Sequence, residues 1–368
     1  MALNPIMEKP IIAVTGSAGK TMVKTMIAAI LREKWVVFES KDYYNITDKT
    51  KVHKDQISFI HRAAVLEYGM AFPGVITEHC RLIRPNIGVI TNVGLAHVGN
   101  FEGKLEQVAD AKSELIYGMH PSGILIIDAD DQNSKLLHTN AFTGKIFTVG
   151  IREKADYQAR ELELSENGIT FLLTLQGREY SFFVPIVGKH NVYNAMFAIA
   201  VADQLGFLST EIQTGLKNLK KPNHRLAIHK LKDGITVIDD TVHAHPAAMK
   251  AALDVLENIG QGTKIAVLGS MWGLGVRTNE DHEDIGRYVA SKNIEFLYTY
   301  GHVSALISKK AVDTGFSGNN VKHFTDKEVL HRELLELIEP GSTILVKGAS
   351  RLNMYETVSY LCDSYRID

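Results

Sequence analysis

The sequence predicts an α/β protein: a P-loop-type central domain with a mainly parallel sheet and an antiparallel insert, followed by a Rossmann-like C-terminal α/β domain. Three observations predict it. Apolar runs of strand length alternate with helical periodicity along nearly all of the 368 residues, and that length suits two cores better than one. A buried strand runs into a glycine turn and then an amphipathic helix near the start of the chain. A polar stretch, Lys220-Lys221-Pro222-Asn223-His224, interrupts the pattern and reads as a linker, which sets the domains at 1–224 and 225–368.

The elements follow in order. Ile11 to Val14 is a short buried strand, and Val23, Met26, Ile27, Ile30 and Leu31 then share one helical face. Further strands end at Glu67, Thr91 and Asp128. Between 157 and 187 the period changes: Tyr180, Phe182, Val184 and Ile186 alternate with other residues, and Glu166-Asn167-Gly168 is turn-like, so antiparallel hairpins are expected there. A helix from Asn191 to Leu205 closes at Gly206. Past the linker, strands ending at Asp239, Gly269, Gly301 and Lys347 alternate with helices.

Composition narrows the class. Apolar residues make up 45% and charged residues 22%, proportions of a globular enzyme. A net charge of -2 gives no bulk attraction to nucleic acid or anionic membrane, so neither is expected as a partner. Two cysteines, Cys80 and Cys362, exclude a disulfide framework and a cysteine-based zinc site. The opening MALNPIMEKP has no apolar signal core and no run reaches the roughly 18 apolar residues of a membrane helix, so a cytoplasmic location is expected. A monomer or weak oligomer is expected.

Thr15-Gly16-Ser17-Ala18-Gly19-Lys20-Thr21 lies between a buried strand and an amphipathic helix, where backbone N–H groups cradle phosphate. Lys20 would neutralise the phosphates and Thr21 would ligate Mg²⁺. The full P-loop pattern requires a glycine where Val14 stands, so a helix-capping turn is the competing reading. Lys112 shares a face with Leu105, Val108, Ala109, Leu115 and Ile116; it is either a snorkelling stem or an amine that becomes a carbamate and ligates a metal. Glu67 ends a strand and His97 follows another; each is either a site residue or a surface residue. Asp239-Asp240 follows a strand, and His243-Ala244-His245-Pro246 is expected to open the next helix. Those acids either bind metal, ribose or an amine, or cap a turn, and the two histidines lack a third ligand for zinc.

Taken together, the chain resembles the Mur ligases, most closely the type that adds D-alanyl-D-alanine. The resemblance rests on TGSAGKT at 15–21, LEYGM at 66–70, ITNVGLAH at 90–97, DAKSE at 110–114 and GKHNVYNAMFAIA at 188–200. It continues with HR at 224–225, DDTVHAHP at 239–246 and LVKGASRLNMYE at 345–356. It implies an ATP-dependent ligase that joins a carboxylate to an amino acid or peptide amine through an acyl-phosphate, with ATP and one or two Mg²⁺ ions. Gly16, Ser17, Ala18, Gly19, Lys20 and Thr21 would hold the phosphates. Glu67, His97 and Lys112 would lie near the metals with Thr21, and Lys112 would be carbamylated. Asn191 and Asn194 would lie near adenine, Arg225 and Asp240 would contact the nucleotide, and the region of Ser350 would receive the amine. Lys20, Lys112, His97 and Glu67 form the catalytic set.

Departures from the family pattern bear on substrate. Nothing before Ile11 is long enough to form a nucleotide-sugar pocket, so the N-terminal UDP-sugar domain is expected to be absent. The family's D-D-S-Y-N-A-N-P reads Asp239 to Pro246 with Thr241, Val242, His243 and His245. Its G-D-M-x-E-L-G reads Gly269-Ser270-Met271-Trp272-Gly273-Leu274-Gly275, without either carboxylate, so a different amine is expected. Two alternatives remain: an amide synthetase using ammonia or an intramolecular amine, and an inactive nucleotide-binding subunit. A hinge near residue 222 is expected between the domains.

Overall fold

β1 (Ile11–Thr15) is a five-residue apolar run with no turn former, and Gly16 ends it. The computed structural model describes residues 9–41, 44–221 and 223–367, so Pro222, at the expected hinge, lies outside the described residues. The chain divides into two units, Met1–Pro222 and Asn223–Asp368.

In the first unit β1 is followed by α1 (Lys20–Arg32), β2 (Val37–Glu39), α2 (Thr47–Gln56), β3 (Ala63–Glu67), α3 (Val75–Leu82), β4 (Ile87–Ile90), α4 (Leu105–Gly118), β5 (Ile124–Asp128), β6 (Lys145–Gly150) and β7 (Tyr157–Gln158). These strands form one parallel sheet in the order β2-β3-β1-β4-β5-β6-β7. The chain leaves β1 toward β3 and β2 on one side and returns at β4 on the other. The carboxyl end of β1 is therefore a topological switch point, where open α/β sheets form their binding crevices.

Three antiparallel strands, β8 (Arg160–Ser165), β9 (Gly168–Leu175) and β10 (Arg178–Val184), make a separate small sheet, with Phe171 opposite Phe182 and their rings 6.0 Å apart. The turn at Glu166-Asn167 joins the first two strands, as the sequence predicts. α5 (His190–Gln204) and α6 (Ser209–Lys217) complete the unit. Both faces of the parallel sheet are covered, which explains its continuous apolar strands. On one face Ile12, Val14 and Val65 pack with Met26 and Ile27 of α1 and with Val192, Met196 and Phe197 of α5. On the other, Ala13, Leu66 and Leu125 pack with Ile76 of α3 and Val108 and Leu115 of α4. Each such fully buried aliphatic side chain contributes about 1.5–3 kcal/mol of burial free energy.

The second unit runs β11 (Ala227–Lys230), β12 (Thr236–Asp240), α7 (Pro246–Ile259), β13 (Lys264–Gly269), α8 (Thr278–Ala290), β14 (Phe296–Tyr300), α9 (Ala305–Asp313), β15 (Val321–Phe324), α10 (Lys327–Leu337), β16 (Thr343–Lys347) and α11 (Tyr355–Ser364). Its sheet order is β11-β12-β16-β13-β14-β15; β11 is antiparallel to β12 and the rest are parallel. The segment His243 to Pro246 opens the next helix through its last two residues. α7 starts at Pro246, because proline fits the first helical position, and His245 sits at the cap with Nδ1 accepting from the Ala248 N–H at 3.4 Å.

Candidate active site

The loop from Thr15 to Lys20 closes on two glycines. Gly16 has φ 143°, and a Cβ there would stand 1.9 Å from Thr91 Oγ1; Gly19 has φ 80°, and a Cβ there would stand 2.5 Å from Asn194 Oδ1. Both positions exclude side chains sterically and conformationally. Asn92, at the end of the strand paired with β1, holds the loop: its carbonyl accepts from Ser17 N–H at 3.1 Å and its Oδ1 accepts from Ala18 N–H at 2.9 Å. Ser17 Oγ donates to Gly94 O at 2.9 Å, and Thr91 Oγ1 donates to Ala18 O at 2.5 Å. Among the described residues no side chain caps the N-terminus of α1, and the positive end of its dipole favours an anion there.

Thr21, in that first turn, donates from Oγ1 to Glu67 Oε2 at 2.8 Å in a buried setting. The other carboxylate oxygen accepts from Asn45 Nδ2 at 2.8 Å, and the Glu67 N–H donates to Ser40 Oγ at 3.0 Å. Lys20 Nζ donates to Gly16 O at 2.9 Å, folding back over the loop. Val14 is the β1 residue paired with Glu67, so the acid and the loop occupy the same sheet edge by register alone.

Lys112 lies on α4 at 1% exposure, so the snorkelling alternative is not what the fold adopts. Burial drives its ammonium well below the ordinary lysine range, Lys20 pushes the same way, and Asp131 opposes them. His97 stands in the left-handed region at φ 63°, a strained backbone for a residue with a Cβ. Partial desolvation of its imidazole, followed by the Lys20 and Lys112 charges, lowers its pKa to about 4, and the ring is neutral at pH 7. Asn191 and Asn194 are both buried on α5; Asn194 Nδ2 donates to Asn191 Oδ1 at 2.9 Å, and Asn191 Nδ2 donates to Val187 O at 2.7 Å. That chain of amides ends with Asn194 against Gly19.

Sequence reasoning missed Asn92, Ser40, Asn45 and Lys24. Lys24 is 1% exposed on α1, and its Nζ donates to Ser40 O, so it fixes the residue that supports Glu67. A lysine one turn after the glycine loop, on an apolar helix face, was the available signal. Among the described residues no group of three or more His, Cys, Asp or Glu forms a metal cage. A carboxylate beside a threonine hydroxyl at a phosphate loop instead fits Mg²⁺, which takes one or two carboxylates and completes its shell with phosphate and water.

In the second unit Asp240 Oδ2 accepts from Lys347 Nζ at 2.6 Å, and Lys347, itself 1% exposed, also donates to His243 O at 2.6 Å. Asp239 is held below the usual carboxylate range, burial notwithstanding, by the His229 imidazole 3.8 Å away and by hydrogen bonds from Thr241 and His224; the His224 Nδ1 to Oδ2 distance is 2.6 Å. Lys347 was legible only as the last residue of an apolar strand. Arg225 also lies in this unit, next to His224, whose φ is 57°.

Known proteins with the same pattern can now be compared. The family model of the Mur ligase middle domain matches residues 14–202, and that of the Mur ligase, glutamate ligase domain matches residues 224–350. The UDP-N-acetylmuramoyl-tripeptide–D-alanyl-D-alanine ligase of Bacillus subtilis is 35% identical over 355 residues, covering 96% of this chain and 76% of the relative. The enzyme of the same name from Haemophilus influenzae is 30% identical over 367 residues, covering 96% and 77%. The crystal structure of MurF from Acinetobacter baumannii superposes with a TM-score of 0.88 at 28% identity, over 97% of this chain and 77% of that one. Both units are thus matched in the order in which they occur, and the chain belongs to the Mur ligase family of ATP-dependent, amide-forming ligases.

Proposed function

We propose that the chain joins a carboxylic acid to an amino acid or peptide amine through an acyl-phosphate, using ATP and Mg²⁺ in the cytoplasm, as a monomer or weak oligomer. Residues 1–224 would form the ATP-binding domain and 225–368 the domain that receives the amine. The observation that carries the reading is the meeting of an uncapped helix N-terminus, Thr21 and Glu67 at one sheet edge.

Gly16 to Thr21 form the loop that would hold the phosphates at the N-terminus of α1, and Lys20 offsets their charge. Thr21 and Glu67, with His97 and a carbamylated Lys112, are the groups that would hold Mg²⁺, which supplies charge neutralisation at the transferring phosphoryl group. A lysine amine reacts with CO₂ only when unprotonated, and the burial of Lys112 favours that form; the product is a carbamate anion plus a released proton. Asn191 and Asn194 would lie near the adenine, while Arg225 and Asp240 keep the nucleotide roles that the resemblance gives them. The acid's carboxylate oxygen forms a bond to the γ-phosphorus as ADP leaves, and the amine then displaces phosphate through a tetrahedral intermediate. Exclusion of water from the acyl-phosphate is required throughout.

No nucleic acid and no membrane take part in this scheme; among the described residues no helix is long and apolar enough to cross a membrane. The relatives' names give the first pair to assay: UDP-N-acetylmuramoyl-tripeptide and D-alanyl-D-alanine. Phosphate release is measured with ATP, Mg²⁺, panels of acids and panels of amines that include this pair. Release that requires both an acid and an amine supports the ligase. ATP binding without turnover under every combination overturns it.

A further inference from the structure

Thr21 and Lys24 stand about one turn apart on α1, and both reach across to neighbouring strands. Thr21 Oγ1 donates to Glu67 Oε2 at 2.8 Å, and Lys24 Nζ donates to Ser40 O. Ser40, the residue after β2, closes the path between them. Its N–H donates to Val65 O at 3.0 Å, and its Oγ accepts from the Glu67 N–H at 3.0 Å. Thr21, Glu67, Ser40 and Lys24 therefore form a ring of contacts that leaves α1, crosses β3 and the end of β2, and returns to α1, with all four residues buried.

The ammonium is the unexpected member of this ring. α1 buries Val23, Met26 and Ile27 as well as Lys24, and taking an ammonium out of water costs free energy that an apolar side chain of similar length would not. The Glu39 carboxylate lies 3.7 Å from Nζ, but it is itself bonded to Arg32 at 2.8 Å and to Thr25 Oγ1 at 3.1 Å. The bond from Lys24 to Ser40 O is thus the link that bears on Glu67. A divalent ion at Thr21 and Glu67 would take an oxygen from each, and its affinity depends on how firmly their spacing is held before it arrives. The bond between Thr21 and Glu67 uses those same oxygens, whereas the bond between Lys24 and Ser40 uses neither.

We propose that Lys24 is a positioning residue for metal binding: by fastening Ser40 to α1 it fixes the Glu67 carboxylate against Thr21 and so raises the affinity of that pair for a divalent ion. It acts through Ser40 and not by contact with the ion. The inference rests on the reading of Thr21 and Glu67 as metal ligands.

Mn²⁺, which shares the oxygen preference of Mg²⁺, is titrated into the protein saturated with ADP, and bound metal is read by electron paramagnetic resonance. Lys24→Met and Lys24→Gln both remove the ammonium, and Ser40→Ala breaks the same path at the Glu67 N–H. Each should weaken Mn²⁺ binding about tenfold or more with circular dichroism unchanged. Lys24→Met combined with Ser40→Ala should lose much less than the product of the two single losses, because both act on one path. ADP binding measured without metal should be unchanged, a split that general loosening of the fold would not give. Unchanged Mn²⁺ affinity in the Lys24 variants, losses that multiply in the double variant, or a parallel loss of ADP affinity overturns the proposal. Glu67→Gln is the reference. If it leaves Mn²⁺ binding intact, the reading of Glu67 as a metal ligand fails; if it weakens binding while the Lys24 variants do not, this inference alone fails.

Discussion

The Thr21 hydroxyl donates to the Glu67 carboxylate across 2.8 Å, with 5% and 2% of the two residues exposed. The hydroxyl of the phosphate loop and the acid of a neighbouring strand are thus in contact within the folded chain itself. Glu67→Gln preserves the shape and a hydrogen-bonding oxygen but removes the charge. Turnover should fall about 100-fold or more. Phosphate release followed against Mg²⁺ concentration checks this, and unchanged turnover at limiting Mg²⁺ would remove Glu67 from the metal site.

Lys20→Ala should abolish ATP-dependent turnover while leaving the melting temperature nearly unchanged. Its side chain is only half-buried and bonds the carbonyl of its own loop, so it acts as a charge rather than as packing. A variant with wild-type kcat would contradict the phosphate assignment.

Gly16→Ala should be severely destabilising, by about 2–3 kcal/mol or more, because the added methyl meets Thr91 Oγ1 at 1.9 Å and φ is 143°. Adding Thr91→Ala should recover part of that loss, since the two sites are in contact and their effects do not add. Urea denaturation of the two single variants and the double variant measures the coupling. Strict additivity would place the cost in the backbone alone.

Lys112→Ala should be inactive and regain turnover with added acetate or bicarbonate, small anions that stand in for the carbamate. Full activity without additives would exclude the carbamate role. Mass spectrometry of the native enzyme under CO₂ gives an independent measure of the adduct.

His79 is fully buried, its Nδ1 bonded to Thr50 Oγ1 at 2.7 Å and its ring stacked on Tyr68 at 4.6 Å. Burial lowers its pKa from 6.5 to about 4, partly opposed by the Asn45 and Gly69 backbone. The folded state therefore favours the neutral ring. Its contribution is complete above pH 6.5 and is lost as pH falls through about 4, with a slope of about 1.4 kcal/mol per pH unit between those values. In His79→Phe the slope of unfolding free energy over that window should fall by about one proton. An unchanged slope would assign the acid sensitivity to other groups.

The sequence makes the strand ends legible because one chemical event marks each of them: an apolar run meets glycine or a polar residue, as at Gly16, Glu67, Asp128 and Gly269. The face shared by Val108, Ala109 and Leu115 likewise points Lys112 inward, and the helix buries it. What escapes the sequence is the lateral support. Asn92, Ser40 and Asn45 act through hydrogen bonds to residues far away in the chain, and no local pattern distinguishes them from ordinary loop residues.

The placement of β1 between β3 and β4 has one more consequence. Val14 pairs with Glu67 and Thr15 with Ile90, so the acid, the glycine loop and the Thr91-Asn92 brace are aligned by the same two ladders that form the middle of the sheet. Slipping either ladder by one residue would move one partner about 3.3 Å along the strand and turn its side chains to the opposite face. A misregistered chain would lose the site and the core packing of Ala13 and Val14 together. The burial that selects the correct registers of β3, β1 and β4 therefore also sets the positions of the phosphate loop, its acid and its brace.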